Sequence, residues 1–244
     1  MTRPLKLVAF DVMDVTRKLY NEMDELPPNA VLFSPSGMAH LFFTEMATIK
    51  DKENIAMTII VLAHYLGSVT SIAFNSESWM LRVSKEDTPE LWEKYKGDGK
   101  KIHDHIIEQY GSVGNSPYKV EALVTSMDDG EKTATLMSMI SRKGEKPKLE
   151  PVDDSFQETK VGHDYNERFM SLLAKSKKLS SAIDLMMQMG KMMFPDKVEA
   201  DYLKELLKLF ARDYRLNIDI DKVLKDSLYI AEKIKAGETK HTLH

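Results

Sequence analysis

The sequence predicts an α+β fold: a small, largely antiparallel mixed sheet with flanking helices, followed by an all-helical C-terminal region. Hydrophobic residues make up 43% and charged residues 30% of the 244 residues, which is typical of a globular chain with a core of ordinary size. The elements predicted for the first part follow the order α-β-β-α-β-α-α-β-β. Such an order favours antiparallel pairing over the strict alternation of a parallel sheet. After a polar stretch near residue 150, only helical periodicity follows.

The first predicted elements are a helix and a hairpin. Apolar residues recur at three- and four-residue steps over residues 4–26, which predicts an amphipathic helix that Pro27 ends. Residues 30–33 and 38–45 are β-prone and flank the turn residues 34–37. They therefore predict two paired strands.

A second helix and a long strand follow. Residues 50–66 carry one apolar stripe, with a glycine at the expected C-cap position. Residues 69–83 are β-prone, but their apolar alternation changes phase between Phe74 and Trp79. Because a strand cannot bury both sets of residues on one face, we expect a β-bulge or a break at residues 75–78. We also expect Trp79 to be buried.

Two short helices and a second hairpin complete the first part. Residues 88–95 and 100–110 predict the helices, and residues 118–126 and 132–141 predict the strands. The turn at residues 128–130 contains a glycine where a positive φ is required.

A polar segment at residues 142–154 has little to bury and marks a connection. We therefore predict an α+β domain at 1–149, a linker at 150–162, a helical C-terminal region at 163–236 and a frayed tail at 237–244. Within the helical region, residues 166–179 and 180–194 are expected to form two helices or one interrupted helix, and further helices are expected at residues 198–214 and 219–235.

Composition excludes several classes of site. The chain has no cysteine, which excludes disulfides, iron–sulfur clusters, thiolate zinc sites and cysteine nucleophiles. Its 34 basic and 38 acidic residues lack the basic excess of a nucleic-acid-binding protein. A local basic patch is still possible, formed by Lys175, Lys177, Lys178 and Lys191. Acidic residues interrupt the N-terminal apolar run, and no run approaches the roughly 20 residues of a membrane span. We therefore expect a cytoplasmic protein that is not associated with a membrane.

Four residues are candidates for acid–base chemistry. Glu77 lies at the expected bulge, where burial beside an aromatic ring would raise its pKa, and Glu121 interrupts an apolar strand. On neighbouring strands the two would form a carboxylate pair, whereas on solvent-facing positions they would have no catalytic role. His103 and His105 lie two residues apart and do not share a helix face, which favours a solvated helix over a metal site.

No motif in the sequence predicts a cofactor or a metal. The turn at residues 34–37 lacks the glycine spacing of a phosphate loop, and Asp219 and Asp221 lack the remainder of a calcium loop. His40 and His64 lie on apolar stretches, which is typical of core histidines.

Methionines crowd one C-terminal helix. The chain has 16 methionines, and the helix near residue 190 contains five of them. Methionine is flexible and polarizable, so this face suits a protein partner or a second copy of the chain. Met186, Met189 and Met193 are the interface candidates. The alternative is complete burial within a helical bundle.

Two segments carry a resemblance. Residues 73–79 (AFNSESW) and residues 118–124 (YKVEALV), followed by a charged hairpin, resemble a small domain of uncharacterised proteins in phage and prokaryotic genomes. The likeness covers roughly residues 30–149 and not the helical region. It implies a shared α+β domain and a viral or mobile-element setting, hence the host cytoplasm. No activity attaches to that group.

The sequence therefore favours a non-enzymatic accessory or interaction protein that binds a protein partner or itself through the Met-rich helix, and the resemblance implies that a phage encodes it. The alternative is a hydrolase or nuclease-like enzyme that uses Glu77 and Glu121 with His103 or His105.

Overall fold

The computed structural model describes residues 4–23, 26–44, 46–83, 85–86, 88–142, 147–150, 157–160, 169, 171–193 and 198–243. Its helices are α1 (Leu5–Met23), α2 (Ile49–Leu66), α3 (Pro89–Lys94), α4 (Gly99–Tyr110), α5 (Leu172–Met193), α6 (Glu199–Asp213) and α7 (Ile220–Lys235). Its strands are β1 (Asn29–Ser34), β2 (Gly37–Phe43), β3 (Ser71–Leu81), β4 (Lys119–Asp128), β5 (Lys132–Ser141), β6 (Lys148–Leu149), β7 (Gln157–Lys160) and β8 (Lys240–Leu243).

All the described strands form one sheet in the order β6-β5-β4-β3-β1-β2-β8, and β7 also pairs with β5. The β2–β8 pair is parallel, whereas the other pairs are antiparallel. The predicted α+β class and the largely antiparallel mixed sheet are confirmed, as are both predicted hairpins.

Helices cover the two faces of the sheet unequally. Alternate residues of a strand point to opposite faces, so Ala30 and Leu32 pack with α2 and α5–α7 while Val31 packs with α1. The side that bears α2 and α5–α7 is called the closed face below. The side that bears α1 alone is called the α1 face.

Helix α2 illustrates how local sequence sets an element. Its N-terminus is a capping box, in which the Thr48 hydroxyl accepts the Asp51 N–H at 3.1 Å and the Asp51 carboxylate accepts the Thr48 N–H at 2.8 Å. Gly67 ends the helix at a φ of 68°, a conformation that favours glycine. The middle of α2 is buried on all sides, which places this helix at the centre of the closed face.

The β-bulge expected at residues 75–78 is absent. Strand β3 pairs with β4 in unbroken register from Ile72 opposite Asp128 to Leu81 opposite Lys119. The first half of β3 is buried on both faces, because helices lie on either side of it. Both sets of alternate residues are therefore buried there, the polar Asn75 included, and the apolar alternation changes phase near the end of this double cover.

The expectation that Trp79 is buried is also wrong. Its side chain is 50% exposed, since it lies on β3 beyond that double cover. The Lys119 ammonium lies 4.7 Å from the centre of its ring, a cation–π contact at the surface.

Two segments predicted to lack structure contain strands. Residues 157–160, within the predicted linker at 150–162, form β7, and residues 240–243, within the predicted frayed tail at 237–244, form β8. Both extend the sheet by backbone pairing, which needs no apolar side chains and so leaves no signal in composition. The rest of the predicted linker lies largely outside the described residues.

The C-terminal helices share their core with the rest of the chain. Side chains of α5, α6 and α7 pack in one cluster with α2 and strands β1–β3. The segment predicted as two helices or one interrupted helix contains a single helix, Leu172–Met193. The division into two independently folding parts stays a prediction. Across the described ranges, no helix combines the length and apolar character needed to cross a lipid bilayer.

Candidate functional site

The structure brings the two candidate carboxylates together. Glu77 and Glu121 lie on neighbouring strands on the α1 face, and both bind the guanidinium of Arg142. Arg142 Nη2 lies 3.1 Å from Glu77 Oε2 and 3.2 Å from Glu121 Oε1, and Arg142 Nε donates a further bond to Glu121. The bonded Glu121 carboxylate raises the pKa of Arg142 above its ordinary value.

This cluster has the character of an ion network. The remaining oxygen of Glu77 accepts the backbone N–H of Leu26 at 3.0 Å, which ties the chain after α1 to β3. Each of the two carboxylates faces a cation, whereas acid–base pairs rely on environments that separate two pKa values. The arrangement holds a helix end on a sheet, and a catalytic role for it stays a prediction.

The two candidate histidines lie away from the carboxylates. His103 Nδ1 contacts Asp104 at 3.4 Å, and the His105 ring lies against Tyr95 with ring centres 5.2 Å apart. Neither contacts Glu77 or Glu121. Among the described residues, no group of three His, Asp or Glu side chains is arranged to hold a metal ion.

A serine, a histidine and a glutamate also line up across three helices. His64 on α2 contacts Ser180 Oγ at 2.9 Å through Nδ1 and Glu199 Oε1 at 2.9 Å through Nε2. The Ser180 hydroxyl has one proton, which the Ser176 carbonyl accepts at 3.0 Å. Ser180 lies within α5, where amide N–H groups serve the helix and none is left for an oxyanion. The cluster joins α2, α5 and α6, in agreement with a core role for His64.

The Met-rich helix is divided between core and surface. Met186 and Met187 pack against the closed-face core. Leu185 and Met189, one turn apart, are 57% and 61% exposed. These two residues are called the α5 outer face below. The side chain of Met193 lies outside the described residues.

The possible basic patch is only partly exposed. Lys177 and Lys178 are exposed, whereas Lys175 is buried at 8% exposure. Lys177 donates to the backbone carbonyl of Asp129 at 3.2 Å. The Lys191 side chain lies outside the described residues. This arrangement adds nothing in favour of nucleic acid.

A groove lies on the α1 face beside the hairpin β1–β2. Helix α1 packs on β3, β4 and β5, so it leaves the neighbouring hairpin open along one side. The resulting space has a volume of about 850 Å³. Val8, Val15 and Leu19 of α1 form one wall, and Val31 and Phe33 of β1 contribute to the floor.

A chain of buried polar side chains runs into the sheet from Asn29, which lines this groove. Asn29 Oδ1 accepts Asn75 Nδ2 at 2.8 Å, and Asn75 Oδ1 accepts the Thr125 hydroxyl at 2.7 Å. These three residues are at most 1% exposed. His40 Nε2 lies 2.9 Å from the same Asn29 oxygen. Buried polar chains of this kind fix the orientation of their members.

The hydrogen bond to Asn29 determines which ring nitrogen of His40 carries a proton. An amide oxygen only accepts, so Nε2 carries the proton and Nδ1 is left as an acceptor. Burial, and secondarily the nearby Lys240 ammonium, hold the pKa of His40 below its ordinary value. His40 is therefore a neutral hydrogen-bond acceptor in the lining of the groove.

Sequence reasoning missed this groove. The signal available was the presence of Asn29, Asn75 and Thr125 in strand segments rich in apolar residues. A groove depends on how far α1 extends across the sheet, and periodicity does not report that distance.

No model of a known protein family, no curated protein and no solved structure matches this chain. The candidate sites above therefore stand on their own geometry.

Proposed function

We propose that the protein is a non-enzymatic accessory protein that binds a protein partner through the α5 outer face. The observation that carries this proposal is the exposure of Leu185 and Met189 at 57% and 61% on one side of a helix whose other side is core. Exposed apolar side chains one turn apart are the anchors by which helices contact a partner.

The same two residues favour a helix as the contacting element of the partner. They form a narrow stripe flanked by the exposed polar side chains of Ser181, Asp184 and Gln188. A stripe of that width matches the apolar face of one amphipathic helix. The resemblance of residues 30–149 to a phage and prokaryotic domain supports a role in a phage-infected or prokaryotic cytoplasm.

The enzyme alternative receives less support. Glu77 and Glu121 share Arg142, and neither His103 nor His105 contacts them. General acid–base catalysis needs a carboxyl group directed at substrate, whereas the oxygens of both carboxylates are engaged in hydrogen bonds within the protein.

The test compares wild type with the double variant Leu185→Gln/Met189→Gln in pull-down from the native host. Both side chains are exposed, so we expect the fold to be retained and bound protein to be lost. Gln188→Ala, on the same helix, is the matched control and should retain the partner. Light scattering of purified protein shows whether the partner is a second copy. The proposal would be contradicted if wild type, the double variant and Gln188→Ala all bound the same proteins and all had the same mass by light scattering.

A further inference from the structure

The groove on the α1 face has the dimensions of a small-molecule site. Its volume of about 850 Å³ lies within the range of roughly 300–1,000 Å³ that small-molecule pockets occupy. Its walls are apolar side chains of α1 and β1. Val15 lines it while being 55% exposed, so the groove is accessible from solvent.

The polar groups of the groove are mainly acceptors. The neutral His40 ring carries its one proton on Nε2, which donates to Asn29, so Nδ1 is an acceptor. The hydroxyls of Thr16 and Thr70, which also line the groove, donate to backbone carbonyls of Val12 and Phe33. A ligand therefore meets few groups that donate hydrogen bonds to it.

The charge of the lining is negative. Asp11, Asp129 and Glu131 line the groove together with one cation, Lys177. The Lys177 ammonium donates to the Asp129 carbonyl at 3.2 Å, so part of its donor capacity is already used. The Asp129 carboxylate already accepts the backbone N–H groups of Glu131 and Lys132, but together with Glu131 it gives this turn more negative than positive charge beside Lys177, which favours a cationic ligand.

We propose that this groove binds a small amphiphilic amine, with its hydrocarbon chain along α1 and its ammonium group toward the carboxylates. The ammonium carries positive charge and three N–H donors, which match the acceptors of the lining. This site is separate from the α5 outer face and does not depend on it.

The test measures binding of octylamine, octanol and octanoate to the full chain by calorimetry, below the concentrations at which they form micelles. The three share one hydrocarbon chain and differ in head-group charge. We expect octylamine to bind about tenfold more tightly than octanoate, because exposed charge pairs are worth up to about 1 kcal/mol each. Equal or tighter binding of octanoate, or no octylamine binding, would overturn the proposal.

Two variants locate the site. Val15→Trp fills the groove and should abolish octylamine binding, whereas Leu7→Trp, on the same helix at 50% exposure and outside the lining, should leave it unchanged. Glu131→Lys should lower octylamine affinity about fivefold, and Glu108→Lys on α4 should not. Glu131→Lys keeps the test decisive if Val15→Trp does not fold. Unchanged binding in both lining variants would overturn the assignment.

Discussion

On the closed face of the sheet, α2 and α5–α7 cover β1–β3 so fully that Ile72 and Phe74 keep at most 3% of their surface exposed. On the α1 face, one helix covers β3–β5 and leaves the hairpin β1–β2 beside a groove. Neighbouring residues on the same strand therefore differ in role, since one contributes to the core and the next lines a cavity. The difference teaches that one side of the sheet is fully covered, whereas the other side combines a core under α1 with an open groove beside the hairpin.

The largest expected effect on stability comes from comparing two residues of one strand, one on each face of the sheet. Phe43 is 1% exposed on the closed face of β2, and Met38 is 61% exposed on the same strand. Phe43→Ala should lower the free energy of unfolding by about 3–5 kcal/mol, because it removes a core aromatic and leaves a cavity. Met38→Ala, the matched control, should change it by less than about 0.5 kcal/mol. Urea denaturation measures both, and similar losses would remove the distinction between the faces.

A smaller effect is expected for the side chain that joins the sheet to α5 on the closed face. Asp128, 3% exposed at the end of β4, accepts the backbone N–H groups of Leu173 at 2.6 Å and Ala174 at 3.3 Å. Asp128→Ala leaves these buried donors without that acceptor, which should cost about 1–3 kcal/mol in thermal or urea unfolding. Asp128→Asn keeps one acceptor oxygen and should cost less. A fully stable Asp128→Ala would show that α5 is held by packing alone.

The smallest effect concerns pH and the α1 face. His40 has a lowered pKa in the folded chain, so it is neutral when folded and takes up a proton more readily when unfolded. Its contribution to stability is therefore present above the ordinary value of 6.5 and is lost as pH falls from there through the folded pKa.

Wild type should thus lose more stability than His40→Gln between about pH 7 and about pH 5. The groups that face His40 are Asn29, the Phe42 ring and Lys240. The glutamine retains a donor for Asn29 but does not titrate. Parallel stability curves for the two proteins would contradict the neutral state assigned to His40.

Local sequence carried enough information for the hairpins and most helices. The glycine turn between β4 and β5 and the C-terminal cap of α2 at Gly67 are set by residues within a few positions of each other, and both predictions are confirmed. The prediction that Trp79 is buried was wrong because the exposure of this side chain depends on where α1 ends over the sheet. Strand β8 was missed because backbone pairing with β2 joins residues some 200 positions apart.

The candidate site was less predictable than the fold. Sequence pointed to Glu77 and Glu121 as a possible pair, and they do lie together, but Arg142 comes from the segment assigned to the connection. His40 was interpreted as a satisfied core histidine, and it is partly buried and hydrogen-bonded to Asn29, but its place in the lining of the groove was not foreseen. The missing information concerns which further side chains converge, which follows from tertiary packing and not from spacing along the chain.

Thiol labelling tests the difference between the faces most directly, because the chain has no cysteine of its own. Met38 and Ala39 are adjacent on β2, at 61% and 3% exposure. A cysteine in place of Met38 should react with a maleimide at the rate of an exposed thiol. A cysteine in place of Ala39 should react only through unfolding. Equal fast rates would contradict a packed closed face, and equal slow rates would contradict an open α1 face.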